Sequence, residues 1–318
     1  MNSLQSFWHA TGVFSDRLTD VRIGSLALAL AFILSNLLLR STAWRNILAA
    51  AHPGVRVRWR SITGAYLAGA GVNAIVPARG GDVTKIYLAH RSIPGSAYTT
   101  VTSSLIAETL IDLLIGPLLL LAAYSTGRLP HLPAIGQLPA FEWSFMEAHG
   151  RVFVLLLAAI LITAGVFFTY IEHHVNSFWS RIADGVAILR TPRRYLTTVV
   201  SLQLVGWCCR AMAMYFFLQA FRIPASLLDA VLALSAASAA TLLPLTPGGI
   251  GPQQALLGYM FRGAAPASTV LSFSVGMQFS ITLMNVIIGG LALSLMLRRM
   301  PWNARVPKPP DRRATAPS

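Results

Sequence analysis

Two acids four residues apart, Glu108 and Asp112, stand inside the apolar run Ala97–Tyr124, and one arginine, Arg210, stands inside another, Tyr195–Phe221. Residues four apart share one face of a helix. Glu108 lies about eleven residues into its run, roughly 17 Å by helical rise and near mid-depth of a ~30 Å hydrocarbon layer. Arg210 lies about fifteen residues into a run of the same direction, so its level is closer to Asp112. An isolated charge at that depth costs at least ~2.5–3.5 kcal/mol, so Arg210 is expected to pair with Asp112 or Glu108. Two uses of such a pair stand open. It lines a path for a lipid headgroup, or it is a strut that fixes helix register. The acids would also serve as a general base. No metal-ligand spacing occurs among the seven histidines, no nucleophile–base motif is present, and no nucleotide-binding loop is found, so no metal, cofactor or catalytic residue is expected. Cys208 and Cys209 are adjacent, point apart on a helix, and read as small packing residues.

The elements that must hold these charges are membrane helices. The chain of 318 residues is 55% hydrophobic and only 11% charged, where soluble domains carry about 25% charged residues. Ile23–Leu39, Ala97–Tyr124, Val152–Ile171, Tyr195–Phe221 and Ser268–Leu297 are apolar runs of spanning length or close to it. The formal net charge is +14. In a soluble protein it would point to nucleic acid. Here the basic residues sit next to the runs, where orientation and anionic headgroups account for them, and no nucleic-acid partner is expected.

Two further apolar runs are too short to cross. Ile62–Val76 has fifteen residues and Ala230–Leu245 sixteen. Each meets a Pro/Gly break, Pro77–Asp82 and Pro244–Pro252, and then a short amphipathic return. Both are read as re-entrant hairpins. Two Pro-kinked ordinary helices would carry the same residues, since small residues such as Gly69 and Gly71 suit close packing in either case. With the N-terminus outside and both hairpins re-entrant, eighteen of the 25 Lys and Arg, Arg40 and Lys85 among them, fall inside and six outside. Span Ile23–Leu39 then runs inward and span Tyr195–Phe221 outward, each followed by a broken hairpin and a long span. That is an inverted repeat, 23–124 and 195–297, with Val152–Ile171 as the odd linker helix. Paired Gly/Pro-interrupted segments in matching places point to a transporter's binding site, because broken backbone at membrane depth must be buried in protein or line a wet cavity.

The remaining segments are peripheral. Residues 1–22 place Leu4, Phe7, Trp8, Phe14 and Leu18 on one helical face, as in a surface helix, and the acids among them argue against a cleaved leader. Residues 174–190 read as an inner surface helix on anionic lipid, and the tail 298–318 as disordered. Trp44, Trp59, Trp143, Trp179 and Trp302 are placed as an interfacial belt. The fold class is therefore all-α: a polytopic helical membrane protein with an inverted repeat and two re-entrant or Pro/Gly-broken hairpins.

From about Ile23 to Leu297 the chain resembles the lysylphosphatidylglycerol synthase transmembrane region, also called flippase-like integral membrane proteins. The likeness rests on Asn73, Pro77, Gly81 and Asp82 in the first hairpin, and on Pro244, Pro247, Gly248, Gly249 and Gly251 in the second. It implies a lipid-translocating module. In full-length synthases that module is joined to a soluble aminoacyl-transfer domain and carries the aminoacylated lipid outward; the present sequence shows no counterpart of the soluble domain. Three departures stand out. The family's Glu-Arg-x-x-Asp reads Glu108-Thr109-Leu110-Ile111-Asp112, an arginine of the last span becomes Gln278, and the acid after the second glycine motif becomes Gln253 or Gln254. The lost charges point away from aminoacyl-phosphatidylglycerol and toward a neutral, polyisoprenoid or hopanoid-type lipid.

The resulting expectation is a non-enzymatic lipid flippase or transporter of the bacterial cytoplasmic membrane, N-terminus outside and C-terminus cytoplasmic. Its partners would be membrane lipids and, in one variant, a lipid-synthesising enzyme. The expected substrate pathway is Asn73, Pro77, Arg79, Gly81, Asp82, Glu108, Asp112, Arg210, Pro247, Gly248, Gly249, Gly251, Gln254 and Gln278. The alternatives are a membrane transferase using Glu108 or Asp112 as base, and an accessory subunit of a lipid- or envelope-modifying enzyme.

Overall fold

A computed structural model describes residues 21–76, 80–125, 184–224, 226–242, 257–258, 260–261 and 266–299. Among these residues there are seven helices and no strand: α1 (Ile23–Ala51), α2 (Trp59–Ile75), α3 (Gly80–Ser92), α4 (Tyr98–Ser125), α5 (Pro192–Ala220, with a wide π turn at Leu196–Val200), α6 (Leu227–Leu242) and α7 (Ala267–Arg299). Four of them, α1, α4, α5 and α7, are long and apolar enough to cross a membrane. The N-terminal surface segment, the linker helix Val152–Ile171 and the tail lie outside the described residues.

Helix α1 runs on past Leu39 to Ala51. The reason is a buried stripe, Ala43, Trp44, Ile47, Leu48 and Ala51, that continues at helical spacing. Arg40 therefore does not end the span; it sits within it. Trp44, expected in the interfacial belt, is fully buried instead, and its indole N–H donates to Ser104 Oγ at 2.9 Å. Trp59 remains half exposed, tied to Thr42 Oγ1. Of the expected inner surface helix 174–190, only 184–190 is described. It ends in a 3-10 turn, Ala187–Arg190, whose Ile188 is fully buried against the bundle.

Helices α1 and α5 lie antiparallel. Arg22 N–H donates to the Ala220 carbonyl, Asn36 abuts Gly206, and Asn46 Nδ2 donates to the Thr198 carbonyl. Helix α2 starts beside the C-terminal end of α1, with Trp59 on Thr42 and Ser41 Oγ 3.0 Å from Thr63 Oγ1. Helix α4 starts at that same end, since Ser104 meets Trp44. So the chain enters along α2 and returns along α3 to where it began. With 17 and 13 residues, the arms are about 25 and 20 Å long by helical rise. The first broken passage is a hairpin open to one side of the bundle. Its arms touch at Gly69 and Gly81, where an added Cβ on Gly81 would overlap the Gly69 carbonyl.

In the second half, α6 begins with a reciprocal cap. Asp229 Oδ2 accepts from Ser226 N–H at 2.8 Å while Ser226 Oγ accepts from Asp229 N–H at 3.2 Å. The segment that follows, with Pro247, Gly248, Gly249, Gly251 and Gln254, lies outside the described residues. The return is seen at Leu257 and Phe261, both buried.

The inverted repeat is visible in spacing and in packing. The starts of α1 and α5 (23 and 192), α2 and α6 (59 and 227), and α4 and α7 (98 and 267) are 168 or 169 residues apart. The first helix of each broken passage, α2 or α6, lies on the long last helix of the other half. Helix α2 meets α7 at Gly71 and Gly289, where a Cβ on Gly71 would come within 2.7 Å of the Gly289 Cα, and Ser235 of α6 reaches the Leu119 carbonyl of α4 at 3.3 Å. Only glycine permits so close a crossing.

Candidate functional site

The site is built where α1, α2, α3 and α4 converge against α5. Arg40 of α1 is its hub. Its Nη2 lies 2.8 Å from Glu108 Oε1 and 2.7 Å from Asp112 Oδ2, and its Nε donates to Tyr66 OH at 2.9 Å. The i, i+4 spacing of the two acids on α4 lets one planar guanidinium reach both. Tyr66 OH donates in turn to Glu108 Oε1 at 2.8 Å. Lys85 of α3 lies 3.4 Å from Glu108 Oε2, with its ammonium 4.4 Å above the Tyr66 ring and 4.9 Å from the centre of the Trp44 ring. Both faces of the Lys85 charge are thus met, by a carboxylate and by two aromatic quadrupoles. Glu108 is 2% exposed and Asp112 27%, so the network is sealed at Glu108 and open at Asp112.

Helix α5 holds α4 from the second half. Gln203 Nε2 donates to the Glu108 backbone carbonyl at 2.7 Å, and Tyr195 OH to the Ala107 carbonyl at 2.9 Å. These carbonyls take a second donor on their spare lone pair. Trp207 Nε1 donates to Asp112 Oδ1 at 3.0 Å. Tyr195, Val199, Gln203 and Trp207, all buried, step by four. An ordinary helix would drift off such a line by about 40° per step; the π turn at 196–200 offsets part of that drift.

The structure corrects the expected pairing. Arg210 makes no ion pair with Asp112 or Glu108. Its guanidinium stacks on the Trp207 ring, 4.3 Å from the centroid. Arg40, assigned by the sequence to the inner rim, is the partner of both acids, and Lys85 joins it inside the bundle. Both sit among the packed helices rather than at the rim where the sequence placed them. The signal for Arg40 was the apolar stripe continuing beyond it, and for Tyr66 a phenol in a Gly/Ala-rich arm. Nothing in the sequence singled out Gln203 or Trp207.

The hairpin residues form a second group. Asn73 Oδ1 accepts the Gly81 N–H at 2.7 Å, capping the start of α3 from the opposite arm, and Asn73 Nδ2 donates to Asp82 Oδ1 at 3.4 Å. Asp82 sits in the first turn of α3, where the helix dipole favours an acid. One turn on, Lys85 links this group to Glu108. Gln278 is half buried on α7. Pro77, Arg79, Pro247, Gly248, Gly249, Gly251 and Gln254 lie outside the described residues. Among the described residues no group of His, Cys, Asp and Glu could hold a metal ion.

No curated protein and no solved structure matches the chain. A family model described as the lysylphosphatidylglycerol synthase TM region matches residues 9–289. That range takes in both Pro/Gly-broken passages, the Arg40–Glu108–Asp112 network and the cross-packed halves, and with four apolar helices it makes the chain a multi-pass membrane protein of a lipid-modifying or lipid-flipping kind. The chain belongs to the lysylphosphatidylglycerol synthase TM region family.

Proposed function

We propose that this protein is a non-enzymatic carrier that moves a lipid between the leaflets of the bacterial cytoplasmic membrane, with its N-terminus outside. One observation carries the reading. A charged network set between helices long and apolar enough to span is shared by both halves of an inverted repeat, and its Asp112 end is open while its Glu108 end is sealed. Such a cluster offers a headgroup polar contacts midway, where the barrier to its crossing is highest. Inverted halves supply the rocking geometry for alternating access.

The role of general base fits Glu108 poorly. Oε1 accepts from Arg40 and Tyr66, and Oε2 faces Lys85. A carboxylate held by two cations competes poorly for a substrate proton. Membrane lipids are the partners of this reading, and a lipid-synthesising enzyme would act before or after it.

Vesicles containing the purified protein and a fluorescent lipid, with the outer leaflet bleached by dithionite, test the proposal. At least one lipid class should equilibrate about tenfold faster than in protein-free vesicles. Unchanged exchange for phospholipid, polyisoprenyl and uncharged lipids would sink it. So would a change in lipid chemistry without a change in leaflet distribution.

A further inference from the structure

Helix α5 departs from regular geometry at the π turn Leu196–Val200, where Ser201 N–H reaches back five residues to the Leu196 carbonyl. Helix α1, its counterpart in the repeat, is α-helical from Ile23 to Ala51. A single π turn fits one extra residue into a helix, at the cost of poorer hydrogen bonds, and is frequent at functional sites. The residues around this one are equipped to let its register shift. Thr197 Oγ1 donates to the Arg193 carbonyl at 3.0 Å, Thr198 Oγ1 to the Arg194 carbonyl at 2.7 Å, and Ser201 Oγ to the Thr197 carbonyl at 2.6 Å. Asn46 Nδ2 comes across from α1 to the Thr198 carbonyl at 3.0 Å. Four carbonyls around the turn thus hold a donor that is not a backbone N–H. Backbone donors can move by one residue there with a side-chain donor already in place, which lowers the usual penalty for reorganising a helix inside an apolar bundle.

The turn also joins two contacts that a regular helix would hold out of line. Upstream of it, Tyr195 OH donates to the Ala107 carbonyl; downstream, Gln203 Nε2 donates to the Glu108 carbonyl. If the turn relaxes to α, one flank rotates by about 100° against the other. The downstream flank is long and is fastened to α1, with Gly206 against Asn36 and Phe216 stacked on Phe32. The upstream flank is short, and its Arg193, Arg194, Leu196 and Thr197 are exposed. The upstream flank is therefore the one that turns, and it takes Tyr195 off Ala107, beside the sealed end of the network. One buried group gains from that movement. Gln203 is 2% exposed, and among the described residues its Oε1 has no hydrogen-bond partner; an opening beside it brings water within reach of that oxygen. We propose that the π turn of α5 is a register switch. Held in π form it keeps Tyr195 on α4 and the Glu108 end closed; relaxed to α it swings Tyr195 away and opens that end. The proposal rests on the carrier reading and names the part that moves.

Deletion of a single residue tests it, because a π turn less one residue is an α-helical turn with both flanks left where they were. The full chain lacking Thr197 should fold, melt no lower than the wild type, keep Tyr195 on Ala107 and lose leaflet exchange. Deletion of Val205, in the regular part of the same helix, throws the flanks out of phase and should cost the fold. Tyr195 is followed by fluorine NMR of the 3-fluorotyrosine-labelled protein in detergent, its line identified by its absence in Tyr195→Phe. The wild type should show exchange between two environments, and the Thr197 deletion the major one alone. A wild-type Tyr195 line free of exchange overturns the proposal, and that measurement needs neither deletion to fold. A Thr197 deletion as damaging as the Val205 deletion overturns it as well. Wild-type vesicles without leaflet exchange would defeat the carrier reading and leave the Tyr195 line to decide the switch. Exchange at the wild-type rate in the folded Thr197 deletion would defeat the switch and leave the carrier reading standing.

Discussion

The two halves of the molecule share a scaffold and differ in what fills it. Around α1, α2 and α4 the first core is built on Trp44, Ile47, Leu48, Ile62 and Leu88, and it encloses Glu108, Lys85 and the Tyr66 hydroxyl. Around α5, α6 and α7 the second core is built on Met214, Phe217, Leu257, Phe261, Phe273 and Met277, and among the described residues the buried charged side chains, Lys85 and Glu108, both belong to the first half. Phe273 is met edge-on by both Phe221 and Phe261. One half is held by a directed polar network, the other by shape and dispersion. The lesson is that an inverted repeat constrains backbone more than chemistry. Once two equivalent scaffolds exist, one can carry the charges and the other can serve as a rigid dry partner.

Breaking the polar half should give the largest effect. Glu108→Ala strands Arg40 and Lys85 in the bundle, and removing one partner from a buried ion network costs about 3–5 kcal/mol. A sharp fall in melting temperature in detergent, or in folded yield, is expected. Glu108→Gln should fall between, since it still accepts from Tyr66. Phe273→Ala probes the dry half. It leaves a cavity between two rings, and a loss on the order of 2 kcal/mol is expected in the same melt. The contrast sharpens if the Phe273→Ala loss is independent of salt and of headgroup charge while the Glu108 variants are not. Equal sensitivity in both would remove the distinction between the halves.

The crossing between the halves comes next. Gly71→Ala and Gly289→Ala would each press a methyl against the opposite backbone, and overpacking costs about 1–3 kcal/mol. Each single variant should lower the melting temperature, and the pair should be less than additive because one shift relieves both clashes. Lys85→Met is expected to do less, about 1 kcal/mol, because Glu108 keeps Arg40 and Tyr66 and the methionine still packs on two rings.

The smallest effect lies outside the spans, at the last turn of α3. Burial, and then the neighbouring Arg91, hold the His90 imidazole below its usual value, while its Nδ1 lies 3.0 Å from Ser96 Oγ. A depressed histidine favours its neutral form in the folded state. Its contribution is present above the ordinary imidazole pKa and is lost as pH falls through that value toward the folded one. A slight loss of melting temperature on acidification should disappear in His90→Gln.

The sequence was most legible where a single physical constraint acted alone. Apolar length fixed the four spans, because the hydrocarbon leaves a backbone no other partner. The Pro/Gly break after Val76 and the short run before it announced the first hairpin, and the i, i+4 acids announced one charged face of α4. The cation that pairs with those acids was not legible in the same way. Arg40 and Arg210 each stand beside apolar residues, and choosing between them needs to know which helices touch. That choice is made by packing: α1 presents Arg40 to both acids, and α5 turns Arg210 onto Trp207. The same holds for Trp44, whose interfacial reading failed because α1 continues beyond its first polar residue. Local pattern decided the helices and the inverted order. Only the tertiary structure decided the pairs, because a charge in low dielectric is governed by the few atoms within 4 Å, and those come from distant parts of the chain.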